Sequence, residues 1–257
     1  MNNNELLVIE HLSISFRGLV AVNNFKLDVK EGEIYGLIGP NGAGKTTVFN
    51  MISGIYKPTK GRIYLDGKDV TGLPPAIMNR KGIARTFQNI RLFNNMSVVD
   101  NITVAMNMLP EYQCNIFESI FRFPKFFKKE HQMRKDAKAL LEIFKMKHLR
   151  NELASNLPYG QQRRLEIARA LASQPKLLLL DEPAAGMNPE ETRELMETIK
   201  FIRDTFHVTI LIIEHNMKLI SNICDRMTVL NFGSILASGT AEEVLTNPEV
   251  VKAYLGE

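Results

Sequence analysis

The sequence predicts an α/β fold with a core of parallel strands, an antiparallel β subdomain near its start and a helical subdomain inserted midway. Three apolar runs do not alternate, "IYGLIG" (34–39), "LLLLD" (177–181) and "VTILIIEH" (208–215), and a helical pattern follows each. Such runs suit central parallel strands covered on both faces. The first quarter alternates instead, in "LLVIEHLSISF", "FKLDVKEGE" and "GRIYLDGKDV", with Gly32, Gly61 and Gly67 as turn signals, so it is expected to pair antiparallel. Between about Asn89 and Ser155 the strand signal gives way to helical stretches, "VVDNITVAMNM" and "EHQMRKDAKALLEIFKM". The expected division is therefore 1–88 with 156–257 for the core and its antiparallel subdomain, and 89–155 for the inserted helices.

Composition bounds the class. With 257 residues, 45% hydrophobic and 23% charged, the chain can bury a full α/β core. No apolar run reaches the roughly 18 residues that span a bilayer, and Met1 to Glu5 lack the basic and apolar regions of a signal peptide, so a cytosolic chain is expected. Cys114 and Cys224 are far apart and outside any metal-ligand spacing, which argues against a disulfide framework or a zinc site. A charge of +4, from 32 basic against 28 acidic residues, selects no partner by itself. In "IFESIFRFPKFFKKE", Phe117, Phe121, Phe126 and Phe127 interleave with Arg122, Lys125, Lys128 and Lys129. The favoured reading is a helical hairpin with core phenylalanines and solvated lysines; docking to a membrane partner or lipid headgroups is the other.

"GPNGAGKT", Gly39 to Thr46, fits the phosphate-loop pattern G-x-x-x-x-G-K-[ST] between an apolar strand and a helical segment. Glycines at 39, 42 and 44 allow the backbone through Pro40, Asn41 and Ala43 to curl so that successive N–H groups point inward toward a polyphosphate. Lys45 is expected to reach the β- and γ-phosphates, Thr46 to take a Mg²⁺ position, and Thr47 to add a phosphate contact. "LLLLDEP" then delivers two carboxylates at a strand's carboxyl end. Asp181 suits the outer shell of Mg²⁺, and Glu182 suits orienting and deprotonating an attacking water.

These features, with "FQN" at Gln88, the Gly160-Gln161 turn before the acidic strand and "IIEH" ending in His215, stand in the order seen in ABC-type ATPases, and the resemblance covers the whole chain. "LPYGQQRRLEIARAL", "DEPAAGMNPEE", "IIEHNMKLI" and "NPEVVKAYLGE" resemble the branched-chain amino acid transporter ATPase subfamily; lipopolysaccharide-export ATPases look similar and supply the alternative. The resemblance implies a P-loop NTPase core that binds ATP and Mg²⁺ and drives membrane import. It implies that Phe16 stacks on adenine, that Gln88 senses Mg²⁺ and water beside the permease groove, and that His215 contacts the γ-phosphate. Leu157, Gly160 and Gln161 match a Leu-Ser-Gly-Gly-Gln type signature, which serves the nucleotide of a facing subunit. Pro158 and Tyr159 depart from it, as does Asn188, where many relatives carry aspartate. The partners implied are integral-membrane permease subunits, a second ABC ATPase subunit in a heterodimer or a homodimer, and indirectly a secreted solute-binding protein, at the cytoplasmic face of a bacterial membrane. Nucleic acid is not among them.

Overall fold

The computed structural model describes residues 4–113, 124–215 and 217–255. Their contacts group into two compact units, one from 4–88, 176–185 and 196–255, the other from the described part of 89–175 with 186–195. Cys114, Phe117, Phe121 and Arg122 lie outside the described residues, and Lys125 is described only as backbone.

The first unit holds two sheets. β1 (Glu5–Phe16), β2 (Leu19–Lys30), β4 (Lys60–Leu65) and β5 (Lys68–Asp69) form an antiparallel sheet in the order β2-β1-β4-β5. The second has the order β10-β9-β3-β8-β7-β6, from β3 (Ile34–Ile38), β6 (Ile83–Arg85), β7 (Leu177–Asp181), β8 (Thr209–Ile213), β9 (Arg226–Asn231) and β10 (Ser234–Thr240). β3 runs parallel to β8 and β9, and β7 parallel to β8 and β6, while β10 closes the edge antiparallel to β9. Every residue of β3, β7 and β8 is buried, as expected of strands covered on both faces.

Helix α1 (Lys45–Ile52) lays Val48, Phe49 and Ile52 into a core shared with Leu37, Leu179 and Leu211 of the mixed sheet and with Leu7, Phe25 and Ile63 of the antiparallel one. Each such large apolar side chain contributes about 1.5–3 kcal/mol on burial. The unit's other helices are α2 (Pro75–Arg80), α7 (Met217–Ser221), α8 (Ala241–Leu245), capped by a Thr240–Glu243 capping box, and α9 (Pro248–Leu255).

The second unit is helical. In α3 (Val98–Met106) the Ser97 hydroxyl caps the first turn by accepting from the Asp100 N–H, and Val98, Ile102 and Met106 recur at fourth positions on a buried face. That helix packs on α4 (Pro124–Ile143) and α5 (Tyr159–Leu171). Phe126 and Phe127 meet edge to face on α4, with Phe127 exposed. α6 (Pro189–Phe206) begins in this unit and ends in the first.

Candidate functional site

Parallel register places the chemistry at one level. Asp181 pairs with Ile213, and Ile213 with Leu37, so β7, β8 and β3 end side by side and deliver Glu182, Glu214 and the loop from Gly39 along one sheet edge. Ligands of open α/β sheets gather at such carboxyl ends.

The loop at Gly39 to Gly44 admits no substitute at two points. Gly39 has φ 151°, and a Cβ there would lie 2.1 Å from the Leu230 carbonyl oxygen; Gly44 has φ 105°, with the Ala21 carbonyl 2.8 Å from a Cβ. The Gly233 N–H fastens the loop by donating to the Ala43 carbonyl at 2.9 Å. Lys45 is buried and donates to the Gly39 carbonyl at 2.7 Å and the Pro40 carbonyl at 3.0 Å. Burial pulls its pKa down, and the nearby Glu182 and Asp181 carboxylates counter that. Asn41, Gly42 and Thr46 are exposed and Thr47 is half-buried.

Asp181 is buried and paired with Arg85 at 2.8 Å. Arg85 also donates to Asn50 Oδ1 at 2.7 Å and Ser53 Oγ at 2.9 Å, and its guanidinium lies over the rings of Phe49 and Phe87. One cation thus ties the helix after the phosphate loop to the acidic strand. Glu182 follows in a left-handed backbone at φ 47°, a strained conformation for a glutamate, and its carboxylate accepts from Gln88 Nε2 at 3.1 Å. Next to β8, Glu214 is buried and accepts from the Ala184 N–H at 3.1 Å, and His215 Nδ1 stands 3.9 Å from its other oxygen. Phe16 is exposed at the end of the β1–β2 hairpin, its ring 5.2 Å from that of Tyr56 and nearly perpendicular to it.

For Mg²⁺ the first unit offers the Asp181 carboxylate, the Thr46 hydroxyl and the Gln88 amide, all hard oxygen donors. Among the described residues no group of three or more His, Cys, Asp and Glu could hold a metal ion. One carboxylate plus neutral oxygens and substrate phosphates is the way Mg²⁺ is commonly held, so the residues fit that ion.

In the second unit, Leu157 is buried, Pro158 takes the N-cap position of α5, and no side chain caps that helix. Gln162 reaches back to the Leu157 carbonyl at 2.8 Å. Tyr159 fills the space over Gly186, where a Cβ would lie 3.2 Å from its ring, and a Cβ on Gly160 would lie 2.7 Å from Glu191 Oε1. Gln161 is half-buried. Asn188 has a local reason: its Oδ1 accepts from the Glu191 N–H at 2.9 Å while Glu191 Oε2 accepts from the Asn188 N–H at 3.0 Å, a reciprocal cap on α6.

The structure thus hydrogen-bonds Gln88 to Glu182 next to Asp181 and sets Lys45 within electrostatic reach of both carboxylates, while Lys45 bonds only its own loop and His215 stands exposed 3.9 Å from Glu214. Sequence reasoning missed Arg85, Tyr56 and Glu214. The signal for Glu214 was present, since "VTILIIE" repeats the pattern of "LLLLDE", an apolar strand ending in a carboxylate.

Fold and site together define a phosphate-loop nucleotide-binding protein. The ABC transporter family model matches residues 22–185, and a model described as branched-chain amino acid ATP-binding cassette transporter matches 234–257. The chain belongs to the ABC transporter family and is one of its ATP-hydrolysing members. It is 48% identical to the high-affinity branched-chain amino acid transport ATP-binding protein LivG of Salmonella typhimurium over 98% of each chain. It is 34% identical to the lipopolysaccharide export system ATP-binding protein LptB of Haemophilus influenzae, again over 98% of each. The crystal structure of MJ1267, an ATP-binding cassette of an ABC transporter in its ADP conformation, superposes with a TM-score of 0.85 at 33% identity, covering 98% of this chain and 99% of that one.

Proposed function

We propose that this chain hydrolyses MgATP to power the import of branched-chain amino acids, working at the cytoplasmic face of a bacterial membrane beside integral-membrane permease subunits and, indirectly, a secreted solute-binding protein. The observation that carries it is the 48% identity to LivG across 98% of both chains, against 34% to the lipopolysaccharide-export relative. No helix among the described residues is long and apolar enough to cross a membrane.

In this reading Lys45 and the backbone N–H groups of the loop from Asn41 to Thr47 hold the phosphates, and Phe16 stacks on adenine. Thr46, Gln88 and Asp181 would hold Mg²⁺, whose charge would offset that of the phosphates. Glu182 orients and deprotonates the attacking water, and His215 contacts the γ-phosphate. Leu157, Gly160 and Gln161 serve the nucleotide of a second ATPase subunit. Pro158 removes a hydroxyl from that turn, so we favour a heterodimer in which the site facing this turn is the slower. The helical segment 89–155 receives the permease, beginning beside Gln88.

The test is reconstitution with the permease pair and the second ATPase subunit in proteoliposomes. ATP-dependent accumulation of labelled leucine is expected, with turnover stimulated by the solute-binding protein. ATP turnover stimulated by lipopolysaccharide, without leucine uptake, would replace this reading with the export one.

A further inference from the structure

We propose that Glu214 is a positioning residue for hydrolysis, a buried carboxyl that joins the loop carrying Glu182 to the loop carrying His215. Its side chain is 2% exposed, whereas that of His215 is 60% exposed, so Glu214 acts through its neighbours. Its two oxygens face two loops. Oε1 accepts from the Ala184 N–H at 3.1 Å, and Oε2 stands 3.9 Å from His215 Nδ1. The strained peptide at Glu182 is therefore pinned twice from the end of β8. The Glu182 N–H donates to the Ile213 carbonyl at 3.0 Å, and two residues on Ala184 donates to Glu214.

A neutral side chain could satisfy the Ala184 N–H with less loss of solvation, so a carboxyl at this depth is costly unless its second oxygen is used. That oxygen faces the imidazole. Across 3.9 Å, beyond hydrogen-bond reach, a carboxylate favours an N–H on the facing Nδ1 by charge and so biases the ring's orientation, with Nε2 turned away from Glu214. Burial pushes the Glu214 carboxyl above its ordinary range, and the nearby Glu182 adds to the rise while His215 and the Ala184 N–H oppose it.

The proposal rests on His215 being the γ-phosphate contact. Glu214→Gln keeps an oxygen for the Ala184 N–H and changes the group that faces His215. In the full chain we expect kcat to fall about 10-fold, the scale seen when the group behind a metal-bound histidine is removed, with KM for ATP within about twofold and a single cooperative unfolding transition as in the wild type. In a His215→Ala background the same substitution should change the single-turnover rate less than about twofold, because the partner it acts through is gone. Wild-type kcat in Glu214→Gln, or the same fold-loss in both backgrounds, overturns the proposal. Full turnover in His215→Ala alone removes the His215 reading and the proposal with it. Imidazole ¹⁵N shifts of the unaltered chain give a check that needs no variant: a single tautomer at His215 is expected, and the mixed average of a free imidazole overturns the proposal.

Discussion

The phosphate loop and the Pro158–Gln161 turn both lead a helix whose first N–H groups suit an anion, yet they are held in opposite ways. The loop is held by backbone: Gly39 and Gly44 pass under the Leu230 and Ala21 carbonyls, Gly233 donates to Ala43, and the one charged side chain, Lys45, folds onto the loop's own carbonyls. The turn is held by side chains, with Tyr159 over Gly186, Glu191 over Gly160 and Gln162 reaching back to Leu157. A site held by backbone and completed by single charged groups should fail when one group is deleted. A turn held by packing should respond to volume, gradually.

The sharpest test of the first half is Glu182→Gln, which removes the proposed base while leaving the strand end intact; steady-state turnover should fall about 10³-fold with ATP still bound. Turnover within tenfold of wild type would break the contrast. Arg85→Met strands a buried Asp181 and should cost about 3–5 kcal/mol in denaturant unfolding, since breaking a buried pair leaves an uncompensated charge. Lys45→Ala removes the ammonium proposed to hold the phosphates, so the Kd for ATP should rise about 10- to 150-fold in a fluorescent-nucleotide titration.

For the turn, Gly160→Ala puts a Cβ 2.7 Å from Glu191 Oε1 and should push that carboxylate off the Asn188 N–H. The expected cost is about 1 kcal/mol of stability, on the scale of a lost helix cap, with binding at this chain's own loop unchanged. A loss of several kcal/mol would show the turn to be as rigid as the loop.

The smallest effect is a pH dependence. Because burial raises Glu214, the folded chain holds that proton more tightly than the unfolded chain, so stability falls as pH rises from about 4.5 through the folded value. Glu214→Gln removes this slope, and its melting temperature relative to wild type should climb across that window and then level. A constant difference would mean that Glu214 titrates alike in both states.

The central strands were legible because burial on both faces removes alternation, and "IYGLI", "LLLLD" and "TILII" carry no polar break before their ends. The phosphate loop was legible because positive φ and close carbonyls leave only glycine at 39 and 44. Arg85 was not, since it ends a three-residue strand whose meaning depends on Asn50, Ser53 and Asp181, 32 to 96 positions away. Tyr56 was missed for the same reason, as it lies in the loop after α1 while its partner Phe16 ends β1. Asn188 read as a departure from a pattern, and only the reciprocal bonds with Glu191 supply its local cause.

Those two bonds also constrain how the chain can change. Converting Asn188 to aspartate would keep an acceptor for the Glu191 N–H and add a second carboxylate at the helix start, where the helix dipole favours negative charge and Glu191 opposes it. Gln or Ser at 191 would relieve the repulsion, but either one also alters what lies over Gly160. Residues 160, 188 and 191 therefore form a linked triple, in which a change at Glu191 is felt both at the Asn188 cap and over Gly160.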